Sequence, residues 1–184
     1  SKAVKTGENQ VAVQVIRWTD ASYLEGQDAF HMSGLHRDVY LVATPQTFVR
    51  DHVITAQLDA SKSYTSGKME VSLELDNRHK LSGTKQVKVT LLDADNKVVK
   101  TATTAVNYTA AATTNKAKVT LDGLANLKPW TAETPYLYNV VVAQQDDKGK
   151  EEMVFNTKYG FRNIEIKNGL VLINGKRVFF KGVN

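Results

Sequence analysis

Three carboxylates, Asp20, Glu25 and Asp28, fall within one stretch that also carries Trp18, Tyr23 and Phe30. Acids beside aromatic rings suit sugar recognition: a carboxylate accepts hydrogen bonds from hydroxyls, and a ring stacks on the apolar sugar face. Carboxylate and carbonyl oxygens equally suit a hard cation. The same residues can form a solvated loop closed by local Asx turns, so the composition leaves these readings open. Hydrolysis of a glycosidic bond needs two carboxyls about 5–5.5 Å or 6.5–9.5 Å apart, a separation that no sequence displays.

Other chemistries are poorly supplied. His31 and His36 have a spacing met in zinc sites, but no cysteine pair or further ligand cluster completes a set, and His52 and His79 stand alone. There is no H-E-x-x-H, no G-x-S-x-G elbow, no G-x-G-x-x-G and no P-loop. With no cysteine, a disulfide scaffold and a thiolate nucleophile are excluded. The aromatic stretches Lys128-Pro129-Trp130 and Thr134-Pro135-Tyr136-Leu137-Tyr138 precede a strong strand pattern, so packing on a sheet edge is favoured over a binding strip.

The elements that must position these residues read almost entirely as strands. Met69, Val71, Leu73 and Leu75 alternate with polar residues, and Gln86 to Leu91 repeats the pattern. Asp93-Ala94-Asp95-Asn96 supplies a turn, and Lys97 to Thr101 a return strand. Lys118 to Leu121 alternates again. The apolar run Tyr136 to Gln144 turns through Asp146-Asp147-Lys148-Gly149 into Glu152 to Phe155. Ala110-Ala111-Ala112 is read as a loop, because Thr113, Thr114 and Asn115 follow at once. About seven candidate strands between Gln46 and Arg162 predict an all-β, immunoglobulin-like antiparallel sandwich.

The flanks differ. Val11 to Trp18 and Asp38 to Ala43 read as strands around the long loop Thr19 to Arg37, and two strands cannot close a core. They are expected to belong to the tail of a preceding β-domain, with Thr44-Pro45 as the boundary. Leu170 to Ile173, Asn174-Gly175 and Arg177 to Phe180 predict a tight hairpin at the threshold of a following domain. The beginning of the chain looks cut from something longer, with no apolar leader behind Ser1-Lys2-Ala3.

The 184 residues are 42% hydrophobic and 23% charged, enough for a full core without covalent staples. No run approaches a membrane span. The net charge of +5 comes wholly from the last 27 residues, where six Lys and Arg face Glu165 alone. A balanced body with one basic end is a poor match to a nucleic-acid-binding face.

The stretch Arg17-Trp18-Thr19-Asp20-Ala21-Ser22-Tyr23-Leu24-Glu25-Gly26-Gln27-Asp28, followed by Met32-Ser33-Gly34-Leu35-His36-Arg37-Asp38-Val39-Tyr40-Leu41, resembles a long pattern of the family 2 glycoside hydrolases, and within them of the large bacterial β-galactosidases. Leu127-Lys128-Pro129-Trp130 through Tyr138 is a second matching block. Gly160-Phe161-Arg162, with Asn168 to Lys176 and Lys181-Gly182-Val183-Asn184, is a third. Departures are Gly26 for an acid, Phe30 and His31 for Trp-Arg, and His36 at a variable position.

The resemblance implies that residues 1–44 end a sugar-binding jelly roll. Residues 45–163 would then form the immunoglobulin-like sandwich, and 164–184 the lead-in to a TIM barrel holding the catalytic glutamates. It implies a non-catalytic piece of an enzyme that hydrolyses terminal β-D-galactosides in carbohydrate metabolism, inactive by itself, with its partner domains in the same polypeptide and a homo-oligomeric parent. By the same resemblance Asp20 binds galactosyl hydroxyls and a sodium ion. Sodium and magnesium would serve the parent, with neither expected on this stretch alone. The alternatives are a free-standing carbohydrate- or protein-binding module, or a parent that is a β-glucuronidase or β-mannosidase.

Overall fold

A computed structural model describes residues 3–24 and 32–182. The chain divides into two compact units, Ser1–Ala43 and Thr44–Asn184.

The second unit is built on seven strands: β1 Phe48–Leu58, β2 Gly67–Asp76, β3 Gly83–Leu92, β4 Val98–Tyr108, β5 Thr114–Leu124, β6 Tyr138–Gln145 and β7 Glu151–Tyr159. They form two antiparallel sheets, ordered β1-β2-β5 and β4-β3-β6-β7. This is the seven-stranded sandwich that the alternation predicts. Its core is the set of inward positions on both sheets, including Met69, Val71 and Leu75 from β2, Val87, Val89 and Leu91 from β3, and Val140 and Val142 from β6. Each is fully buried, and the period of two puts their polar neighbours on the outer faces.

Aspartates close the turns where the sequence puts them. Asp93 Oδ1 accepts from the amides of Asp95 and Lys97, both at 2.9 Å, and Asn96 takes a left-handed φ of 60°. Asp146 Oδ1 repeats the device with Lys148 at 2.9 Å and Lys150 at 2.8 Å. These backbone amides, Lys150 first, hold the Asp146 carboxyl below the usual carboxylate range. Residues 109–113 form the expected loop, closed by Ala112 N donating to the Thr109 carbonyl at 3.1 Å.

Asn77, fully buried where the chain passes from β2 to β3, ties the connections together. Its Nδ2 lies within hydrogen-bonding distance of the carbonyls of Leu81, Thr109 and Ala112, and its Oδ1 accepts from Leu81 N at 3.0 Å. Next to it, Asp76 is buried against Arg78. Hydrogen bonds from the Arg78 guanidinium, more than its backbone amide, bring the Asp76 carboxyl down to about 2.

A smaller antiparallel sheet follows, ordered β10-β9-β8, from β8 Ile164–Lys167, β9 Leu170–Ile173 and β10 Lys176–Arg177. The expected hairpin is present. Its outgoing strand is shorter than the pattern suggests, because ladder pairing ends at Arg177 and only Val178 N adds a bond, to the Val171 carbonyl at 3.1 Å.

The flanking strands expected in the first unit are a correction. Among the described residues, Val11 to Trp18 and Asp38 to Ala43 belong to no ladder. Alternation offers a face, but a strand exists only where a second backbone completes its N–H and C=O groups. Among the described residues of this unit the regular element is one helical turn, α1 Ala21–Leu24, inside the segment read as loop. Among the described residues no helix is long and apolar enough to cross a membrane.

Candidate functional site

Asp20 sits at the start of α1. The local chain is folded by Ser22, whose Oγ accepts from Thr19 N at 3.1 Å and donates to the Arg17 carbonyl at 3.3 Å. Ser22 N donates to the Thr19 carbonyl at 3.0 Å, and Tyr23 N to the Asp20 carbonyl at 3.3 Å. This arrangement presents the Asp20 side chain to solvent. Trp18 is 64% exposed with the Arg17 guanidinium 5.1 Å from its ring centroid, and Tyr23 is 85% exposed. Within these few residues a carboxylate can accept hydrogen bonds from hydroxyls, a guanidinium can donate them, and two open rings can stack on an apolar sugar face.

Glu25, Asp28, Phe30 and His31 lie outside the described residues. Among the described residues, no three His, Asp or Glu side chains gather where a metal ion could sit. Asp20 can offer a hard cation one carboxylate, of the several oxygen ligands that such an ion takes. His36 and His79 are exposed. His52 is engaged in the sandwich, with Nε2 at 2.8 Å from Thr157 Oγ1 and its ring 4.9 Å from that of Phe155.

The aromatic stretches pack, as expected. Tyr138 is buried edge-on against Phe161, with ring centroids 5.1 Å apart, and its hydroxyl accepts from Lys128 N at 2.9 Å. Tyr159 meets the same Phe161 ring at 5.2 Å. Burial pushes both tyrosine hydroxyls above their ordinary range, so they remain protonated and structural. Trp130 lies against Gly160, where a Cβ would come within 2.8 Å of the indole, and the Arg162 guanidinium covers its ring at 4.8 Å.

Two buried or half-buried amides have roles that sequence reasoning missed. Gln144, on β6, accepts from Val49 N at 3.0 Å and donates to the Thr47 carbonyl at 2.7 Å, fixing the chain as it enters the sandwich. Glu152 holds Gln144 at 3.1 Å and is paired with Lys85 at 2.7 Å. At the other end, Asn174 Oδ1 accepts from Asn163 N at 2.8 Å and its Nδ2 donates to the Trp130 carbonyl at 3.0 Å. The sequence marks Asn174 only as a turn residue.

The model for glycosyl hydrolases family 2 matches residues 47–162, and that for the family 2 sugar binding domain matches residues 1–45. A β-galactosidase of Alteromonas mediterranea is 38% identical over 196 aligned residues, covering 100% of this chain and 17% of that protein. A β-galactosidase of Priestia megaterium is 38% identical over 98% of this chain, again 17% of its own length. The chain thus spans about a sixth of the length of the curated relatives it matches. Among solved structures, a family 2 member from Bacteroides cellulosilyticus superposes with a TM-score of 0.67 at 22% identity, covering 76% of this chain and 19% of that one. A β-glucuronidase of Bacteroides uniformis gives 0.64 at 17% identity, covering 76% and 17%. These two likenesses establish the fold.

Proposed function

The chain belongs to family 2 of the glycosyl hydrolases, and from that premise we propose that it is a non-catalytic stretch of a β-galactosidase. In this reading residues 1–44 end the sugar-binding domain, 45–163 form a spacer, and 164–184 lead into the catalytic domain. The observation that carries it is the collinear match of the whole chain to β-galactosidases at 38% identity.

The sandwich is suited to a spacing role. Its core is packed from both sheets, and its two ends are held by amide side chains, Gln144 on Thr47 and Val49, and Asn174 on Asn163 and Trp130. A spacer with pinned ends fixes the direction in which flanking domains leave it. Asp20 contributes one carboxylate, to galactosyl hydroxyls and to a sodium ion whose remaining ligands come from elsewhere in the protein. Sodium and magnesium belong to the full-length enzyme in this reading, where a bound hard cation supplies positive charge to orient hydroxyl oxygens.

The test compares this chain with the full-length protein on a chromogenic β-D-galactoside. The expected result is hydrolysis by the full-length protein and none by residues 1–184. A full-length protein inactive on galactosides but active on glucuronides or mannosides overturns the substrate. Galactose titrated into the isolated chain is expected to leave the NMR signals of Trp18 and Tyr23 in place; shifts there would make this stretch a sugar-binding module in its own right.

A further inference from the structure

The dipeptide Asn-Gly occurs twice in the sequence, at Asn168-Gly169 and at Asn174-Gly175. It is prone to lose the asparagine amide, because glycine has no side chain to shield its backbone nitrogen. Both pairs form two-residue hairpin loops. The first is closed by Lys167 opposite Leu170 and the second by Ile173 opposite Lys176. Their backbones are nearly the same: φ is 52° and 74° in the first loop, 49° and 72° in the second. Loop shape therefore does not separate them.

The side chains do. Asn174 is half-buried and held at both ends, with Oδ1 accepting from Asn163 N at 2.8 Å and Nδ2 donating to the Trp130 carbonyl at 3.0 Å. Its own N–H donates to the Asn163 carbonyl at 2.9 Å, and the Tyr64 hydroxyl lies close over Gly175. Asn168 and Gly169 are exposed, and the Asn168 side chain has no hydrogen-bond partner among the described residues. We propose that Asn168 is a modification site, which loses its amide spontaneously to become aspartate or isoaspartate, and that Asn174 is shielded from the same reaction.

The reaction needs only water. Solvent base takes the Gly169 N–H proton, and the nitrogen attacks Asn168 Cγ. The new N–Cγ bond replaces the Cγ–Nδ2 bond, and Nδ2 leaves as ammonia with a proton from water. One water then opens the five-membered imide. Cleavage at Cγ gives aspartate; cleavage at the main-chain carbonyl gives isoaspartate, with an extra methylene in the backbone. In a left-handed turn the glycine nitrogen points away from Cγ, so ring closure waits for the loop to open. At Asn168 the loop alone must open, whereas at Asn174 two side-chain hydrogen bonds must break as well. The product sets a new carboxylate among the six Lys and Arg of residues 158–184, and the isoaspartyl form lengthens a loop that has room for two residues.

The test ages the full-length protein of the same gene in warm, mildly alkaline buffer and follows its peptides by mass spectrometry. The peptide holding Asn168 should gain the mass of an acid over an amide and resolve into two products of equal mass. Asn174 should convert at least about tenfold more slowly, the factor that two hydrogen bonds of ordinary net strength impose. In urea the two rates should converge, and Asn168→Gln should abolish the acidic product of its peptide. Equal rates in the folded protein overturn the inference. So does an Asn168 that stays intact while Asn174 converts, an unchanged protein, or a rate difference that persists in urea and so belongs to the flanking sequence.

Discussion

Two stretches of this chain share apolar residues spaced two apart and have different fates. Val11, Val13 and Val15 recur at every second position, as Val87, Val89 and Leu91 do, although Ala12 rather than a polar residue stands between the first two. The second set is completely buried between two sheets, and the first is open to solvent and outside any ladder. Strand propensity is therefore common to both, and partnership separates them. β3 has β4 on one side and β6 on the other, and its inward residues Val87, Val89 and Leu91 join a core shared with the other sheet. Alternation states which face would be buried, and a second backbone decides whether it is.

Amide hydrogen exchange is the broadest way to break this comparison. Amides of Val87 to Leu91 should exchange only by global opening, at a cost of about 5 kcal/mol or more, whereas those of Val11 to Trp18 should exchange near the unprotected rate. Equal protection in the two segments would remove the distinction. Truncation comes next. Phe161 is fully buried and wedged between Tyr138 and Tyr159, so Phe161→Ala should cost about 3–5 kcal/mol in urea unfolding.

A smaller, pH-dependent effect sharpens the picture at Asp76. Its carboxyl is lowered from 3.8 to about 2 in the fold, chiefly by the Arg78 side chain. A depressed folded pKa gives stability that is present above the unfolded value and lost as pH falls from about 4 toward 2. Asp76→Asn should therefore be less stable than the parent chain at pH 7, and the gap should close across that window; a constant gap would refute the pairing. The smallest effect belongs to the open segment. Leu41 is 98% exposed, and Leu41→Ala should change unfolding free energy by no more than about 0.5 kcal/mol.

The sandwich was legible because its signals are local. Period-two alternation gave β2 and β3, a continuous apolar run gave β6, and Asp-rich turns gave the two hairpins of the larger sheet. What escaped notice depends on residues far apart in the chain. Gln144 reaches Val49 across 95 positions and Asn174 reaches Trp130 across 44, and nothing in the neighbourhood of either amide announces its partner. The one-turn helix Ala21–Leu24 was equally invisible, since a single turn has no periodicity to read. Asp20 was legible as a type of residue in a suggestive setting. Its grouping with Glu25 and Asp28 was not, because sequence adjacency fixes no side-chain separation.

The close seat of Trp130 on Gly160 has a consequence for how this surface can drift over generations. A methyl group there would press into the indole, and the displaced ring carries on its own backbone carbonyl the bond that receives Asn174. Any heritable change at Gly160 therefore reaches two neighbours at once. Lineages that have diverged widely elsewhere should still keep the smallest amino acid at this spot, or lose the indole and the asparagine together.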